Sequence, residues 1–207
     1  MAPLWPLARR VRTSSQTSQD LVACPPQAEI SPDLPKGGLT TIARAIHEAI
    51  TIDLTQLADN LPLSEDREWC TLWPGKHHAF LIGLTKILQP RLAIDVGTYH
   101  GASALAMSDW SERILTYDIV SLTDIGNACA NLTKDHFNIV QLVGDLVIPE
   151  FFESQRLVFG EVDLVLIHGP KDGLFEYQVV PTVIDAVKPG SIPIPDDIRS
   201  RTCEISG

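Results

Sequence analysis

The stretch Leu92 to Met107, L-A-I-D-V-G-T-Y-H-G-A-S-A-L-A-M, constrains this chain more than any other. It opens on an apolar run, Leu92 to Val96, interrupted only by Asp95, which is the pattern of a strand buried on both faces of a parallel sheet. Gly97 and Gly101 follow, and an Ala-rich helix is expected from Ala102 to Trp110. Glycine turns tightly and, lacking a Cβ, lets another group approach the backbone. A strand, a glycine turn and a helix start together form a ligand-binding element: the helix start offers free N–H groups, and an acid at the strand end accepts bonds from a cationic or hydroxyl-bearing ligand.

The glycine spacing is G-x-x-x-G. It lacks the middle glycine that serves a dinucleotide pyrophosphate, which disfavours an NAD-dependent oxidoreductase, and no Gly-Lys-Ser/Thr follows to cradle phosphates. Asp95 would repel a phosphate and suits a ligand carrying positive charge, such as an amino acid with a sulfonium. With D-V-G-T-Y-H-G-A-S in place, the chain resembles the class I S-adenosylmethionine-dependent methyltransferases, and most of all their catechol O-methyltransferase branch. The resemblance runs from about Trp73 to Arg199. It implies a cofactor, S-adenosyl-L-methionine, held by Asp95, Gly97, Tyr99, Gly101, Ser103, Asp118 and Asp145.

Composition narrows the class. The 207 residues suffice for one domain with a sizeable core, and 44% hydrophobic content suits a soluble globular protein. No apolar run approaches the roughly 20 residues of a membrane span, and a net charge of −10 argues against nucleic acid as a partner. The four cysteines, Cys24, Cys70, Cys129 and Cys203, form no C-x-x-C and read as free thiols in a reducing, cytoplasmic setting. Residues 1–38 are rich in Pro, Ser, Thr and Gln, with Arg9, Arg10 and Arg12 and no acid among the first nineteen. They read as a disordered tail or an organellar targeting segment, followed by a single α/β domain over 39–207 that has a helical part over 39–72.

Along that domain, periodicity predicts helices over Thr40–Leu57 and His77–Leu88, the second stopped by Pro90. Strands are expected at Arg113–Asp118, Asn138–Val143 and Val162–Ile167, and helices at Thr123–Thr133, Pro149–Gln155 and Leu174–Val187. Asp118 stands 21 residues after Gly97, the spacing at which dinucleotide folds place an acid on ribose hydroxyls, and the resembled family has an acid there too. The competing reading is a solvated strand-end aspartate. Asp145, in Gly144-Asp145, lies where the resemblance implies contact with adenine, and it also fits a turn. The adjacent His77 and His78 point about 100° apart on a helix and do not by themselves suggest a metal.

The fourth strand ends in H-G-P-K-D-G, and His168 stands where related methyltransferases carry an aspartate. The resemblance makes that position a metal ligand and places a general base at Lys171. Asp196 and Asp197 follow a fifth strand, where strand ends converge on the carboxyl edge, so His168, Asp196 and Asp197 are candidate ligands for Mg²⁺ or another divalent cation. Imidazole shifts metal preference away from Mg²⁺, and His168 is equally a candidate base for chemistry without a metal. Asp196-Asp197 and Lys171 also fit a solvated turn.

The fifth strand, S-I-P-I-P-D-D, carries Pro193 and Pro195, two residues apart, so both would remove donors from one edge and leave the other able to pair. The chain ends at Gly207, ten residues past Asp197. The expectation is a doubly wound, Rossmann-like, mostly parallel sheet of order 3-2-1-4-5, without the C-terminal hairpin of the full methyltransferase fold. The implied function is O-methylation of a small hydroxylated acceptor. A methyltransferase-fold protein without activity, acting as a binding or interaction module, is the alternative. A homo-oligomer is compatible with an exposed sheet edge.

Overall fold

The computed structural model describes residues 36–61, 63, 66–67, 70, 77–170 and 174–196. The expected tail therefore lies outside the described residues up to residue 35, as do Cys24, Cys203, Lys171 and Asp197.

Five parallel strands form one sheet in the order β3-β2-β1-β4-β5: β1 Leu92–Val96, β2 Arg113–Asp118, β3 Ile139–Val143, β4 Leu164–Ile167 and β5 Ile192–Pro195. The expected order is the observed one. Side chains alternate cleanly between two layers. Ala93, Ile114, Leu164 and Leu166 face a layer made by α1 (Lys36–Thr51), α2 (Thr55–Asn60), α3 (His77–Leu88) and α4 (Ala102–Ser108). Ile94, Val96, Leu115, Tyr117, Val165 and Ile167 face the other way. There they meet Phe152 and Phe159 of α8 (Pro149–Phe159) and Val179 and Val183 of α9 (Leu174–Ala186). Both faces of the central strands are covered, which is why their sequences run apolar without alternation.

Helix boundaries differ from the periodicity in four places. The predicted Thr40–Leu57 helix starts earlier, at Lys36, and breaks after Thr51. The Asp53 carboxylate accepts both the Thr55 N–H (2.9 Å) and the Thr55 hydroxyl (2.7 Å), and so opens a new helix at Thr55. The predicted Thr123–Thr133 helix is three single turns: α5 Leu122–Ile125, α6 Asn127–Ala130 and α7 Leu132–Asp135, parted at Gly126 and Asn131. The helix expected from Ala102 to Trp110 ends at Ser108, whose hydroxyl donates back to the Leu105 carbonyl. In contrast α8 runs four residues beyond Gln155, because Phe159 continues the buried face begun by Phe152.

The prolines of β5 behave as their chemistry requires. Leu164 pairs with Ile192 and Leu166 with Ile194. The donors facing β4 come from the residues between and beside the prolines: Ile192 N–H to the Asp163 carbonyl (3.0 Å) and Asp196 N–H to the Ile167 carbonyl (2.9 Å). Pro193 and Pro195 thus withhold donors only from the outer edge, where no described strand pairs. At the amino end of the sheet, Asp163 accepts the Arg91 and Leu92 N–H groups and the Lys188 ammonium (2.6 Å), fastening β1, β4 and the turn before β5 together.

At the opposite end the sheet closes on a single tight contact. Gly97 has φ +102°, and a Cβ built on it would sit 1.8 Å from the His168 carbonyl oxygen. The glycine is thus demanded by the backbone leaving β4. Gly190 also has positive φ (+93°) but open space around it. Gly97→Ala should therefore cost about 3 kcal/mol from backbone strain plus overpacking, against about 1 kcal/mol for Gly190→Ala. Urea unfolding of the two variants measures the difference, and equal losses would show that the His168 backbone gives way.

Candidate functional site

β1 has β2 on one side and β4 on the other, and the chain leaves it in the Gly97–Gly101 turn. In open parallel sheets the crevice outside the carboxyl ends at such a switch point is where ligands bind. The turn closes through the Gly101 N–H on the Thr98 carbonyl (2.7 Å). Gly101 has φ +88°, and a Cβ there would meet the Leu132 side chain at 2.1 Å. Tyr99 lies between them with φ +45°, a conformation that costs a non-glycine residue about 1 kcal/mol or more. Its ring is exposed and stacks on His100, centroids 3.7 Å apart.

Asp95 is not the open strand-end acid the sequence suggests. It is fully buried, on the sheet face covered by α3 and α4. One carboxylate oxygen accepts the Thr116 hydroxyl (3.0 Å), which in turn accepts the Thr98 hydroxyl (2.7 Å). The other, Oδ1, has no hydrogen-bond partner among the described residues. Burial pushes the carboxyl up to about 7; the Thr116 bond pulls it back, and the nearby Asp118 charge raises it further. An orphaned buried acceptor costs about 1–3 kcal/mol.

Asp118 ends β2. Thr116 pairs with Asp95 in register, and Asp118 is two residues further on, so both aspartates share one face of the sheet. The Asp118 carboxylate accepts the Tyr99 N–H (2.8 Å) and the Val120 N–H (3.1 Å). A carboxylate has about four lone-pair sites, so two stay available for ligand hydroxyls. Ile119, next in sequence, is an exposed apolar side chain at the same edge.

The remaining candidates divide. Asp145 accepts the Val147 N–H (2.9 Å), so the structure closes a turn with it, at the end of β3 beside Asp118. Ser103 is buried in the second position of α4. His168 and Asp196 do meet: His168 Nδ1 lies 3.3 Å from Asp196 Oδ2, both side chains about one-third exposed (37% and 28%). Asp197, the third expected ligand, lies outside the described residues, and among the described residues no group of three acids, histidines or cysteines could hold a metal ion. Near His168 lie two more imidazoles. The His77 ring is 6.2 Å from that of His168 and 3.7 Å from that of His78. Burial, with the two neighbouring imidazoles, lowers His78 to about 3 and keeps it neutral.

Thr98, Thr116, Ile119 and the pair Asp66–His100 were not among the sequence candidates. Thr116 had a signal: it is the single polar residue inside R-I-L-T-Y-D, and only strand register reveals that it faces Asp95. The cavities described at the surface lie elsewhere. One of about 510 Å³ runs along α1 past Leu39, Ala43 and His47, and one of about 220 Å³ lies beside α7.

The raised Asp95 carboxyl gives a pH dependence with a definite sign. Between its ordinary value of 3.8 and about 7 the folded chain keeps a proton that the unfolded chain has released. Its contribution to stability therefore falls as pH rises through that window and stays low above it. Asp95→Asn removes the ionisation. Thermal melts from pH 4 to 8 should show the variant gaining on the native chain steadily up to about pH 7, and a difference independent of pH would contradict the assignment.

No family model matches the sequence, and no curated protein matches it. Solved structures do match the fold. The SAH-bound methyltransferase PaMTH1 of Podospora anserina is 18% identical, covers 81% of this chain and 72% of that one, and superposes with a TM-score of 0.55. A precorrin 8W decarboxylase of Methanobacterium thermoautotrophicum is 18% identical over 51% of this chain, with a TM-score of 0.39, and the match spans about half (53%) of that protein's length. A candidate O-methyltransferase of Klebsiella pneumoniae is 14% identical over 75% of this chain and 64% of that one, with a TM-score of 0.45. The chain has the α/β Rossmann-like fold of the Podospora methyltransferase, a five-stranded parallel sheet of order 3-2-1-4-5 flanked by helices.

Proposed function

We propose that this chain is an S-adenosylmethionine-dependent methyltransferase acting on a hydroxyl oxygen of a small molecule. The observation that carries the reading is the unsatisfied Asp95 Oδ1 beneath the glycine turn, with Asp118 on the same sheet face one strand away. The first suits the ammonium end of an amino-acid ligand. The second suits the hydroxyls of a ribose, with Ile119 offering an apolar surface for the attached base. The fold shared with an SAH-bound methyltransferase supports the same cofactor.

Bound there, the cofactor supplies a methyl group already activated by its sulfonium, so the protein has to align the acceptor and receive its proton. His168 would take the second task. The Asp196 carboxylate beside Nδ1 favours the proton on that nitrogen, so Nε2 is the atom that would receive the proton of the acceptor hydroxyl. Among the described residues His168 and Asp196 provide two donors of mixed type, short of a divalent-ion site by themselves. The acceptor, a small hydroxylated molecule, would lie on the β4–β5 side of the crevice.

Isothermal titration with S-adenosylhomocysteine should give saturable one-to-one binding. Absence of binding at saturating ligand would reduce the chain to a methyltransferase-fold scaffold. In methyl-transfer assays His168→Ala should lower kcat about 10²–10⁴-fold while leaving the S-adenosylhomocysteine Kd unchanged. Mg²⁺-dependent activity gained by His168→Asp would instead assign the position to metal chemistry.

A further inference from the structure

Outside the proposed chemistry, the described residues include a buried acid–imidazole pair. His100 Nδ1 lies 2.8 Å from Asp66 Oδ1, and each side chain is only 9% exposed. His100 is the third residue of the turn closed by Thr98 and Gly101, whereas Asp66 belongs to a helical turn between α2 and α3, 34 residues upstream. The second Asp66 oxygen is buried and has no hydrogen-bond partner among the described residues. A carboxylate left half-satisfied in an interior costs stability, and its remaining bond fixes the His100 ring.

What it fixes is the cofactor turn. Tyr99 is strained at φ +45° and its ring lies flat on His100, so holding the imidazole also holds the tyrosine. Two carboxylates grip the turn at neighbouring residues: Asp118 through the Tyr99 N–H, and Asp66 through the His100 ring. Only Asp118 is also claimed by the ligand. When ribose hydroxyls share its oxygens the Tyr99 bond weakens, and the second grip then helps to hold the strained residue. Resting on the cofactor reading above, we propose that Asp66, acting through His100, is a positioning residue that keeps the Gly97–Gly101 turn in its binding conformation while Asp118 is recruited by the ligand.

The test has two arms. In the ligand-free chain, amide hydrogen exchange followed by NMR should show Tyr99 and Gly101 exchanging about tenfold faster in Asp66→Ala than in the native chain, with the β1 amides of Ile94 and Val96 unchanged. In titrations, Asp66→Ala should raise the S-adenosylhomocysteine Kd about tenfold. Asp66→Asn, which keeps an acceptor for the His100 N–H, should restore both readouts to within about threefold of native. A purely structural acid would show uniform acceleration across β1 and no rescue by asparagine. Asp66→Leu removes the acceptor and the orphaned oxygen together, and carries the same comparison if the alanine variant does not fold. Native exchange at Tyr99 and Gly101 in the folded Ala or Leu variant overturns the proposal. Failure of the native chain to bind S-adenosylhomocysteine counts against the cofactor reading alone, since the exchange arm needs no ligand.

Discussion

The His168 carbonyl, occupying the space a Cβ on Gly97 would need, sets the rest of the site. It lets β1 and β4 run together to their ends, where the His168 N–H donates to the Val96 carbonyl at 2.7 Å. Any side chain at residue 97 would part the two strand ends. The turn after β1 and the imidazole after β4 would then no longer border one crevice. A single missing Cβ therefore brings the glycine turn and His168 side by side, although they are 71 residues apart in sequence.

The carboxylates at this edge do different work because their surroundings differ. Asp95 is buried beneath the turn, bonded through one oxygen to Thr116, and its proton is held to about neutral pH. Asp118 is half-buried and takes two backbone N–H groups. Burial without a full set of partners favours the neutral form of Asp95. The site thus presents one buried acid with an unfilled oxygen and another, half-buried, whose oxygens already engage the backbone of the turn. That pairing suits a ligand with a cationic amino-acid end and a neutral sugar, and it would suit a pyrophosphate poorly.

Much of the fold was legible in sequence for plain physical reasons. Strands such as V-D-L-V-L-I are apolar runs that only a doubly covered sheet can bury, and glycine and proline mark where they stop. Pro193 and Pro195 could be read as an edge because a missing donor has only one direction to be missing in. Helix limits were less legible. Asp53 ends one helix and starts another through side-chain bonds that periodicity does not register, and Gly126 splits what looked like a continuous helix. The candidate site was legible where one strand and its turn carry it, as with Gly97, Gly101 and Asp118. It was not where it depends on partners brought in by packing. The burial of Asp95 follows from the helix layer over it, its bond to Thr116 from strand register, and the Asp66–His100 pair from a segment with no motif.

The two halves of the crevice are built with unequal rigidity, and this bears on what each recognises. On the β1–β2–β3 side the polar groups are tied down: Asp95 to Thr116, Asp118 to the backbone of the turn, Asp145 to its own turn. On the β4–β5 side His168 and Asp196 are each about one-third exposed, and their contact spans 3.3 Å. Pre-formed donors and acceptors give affinity for a ligand of fixed shape, because little ordering is left to do on binding. Exposed groups on short connections adapt to different partners. The two sides of the switch point therefore differ in what they favour, a ligand of fixed shape on one and a more variable one on the other, with His168 at the boundary, where its backbone belongs to the rigid half and its ring to the exposed one.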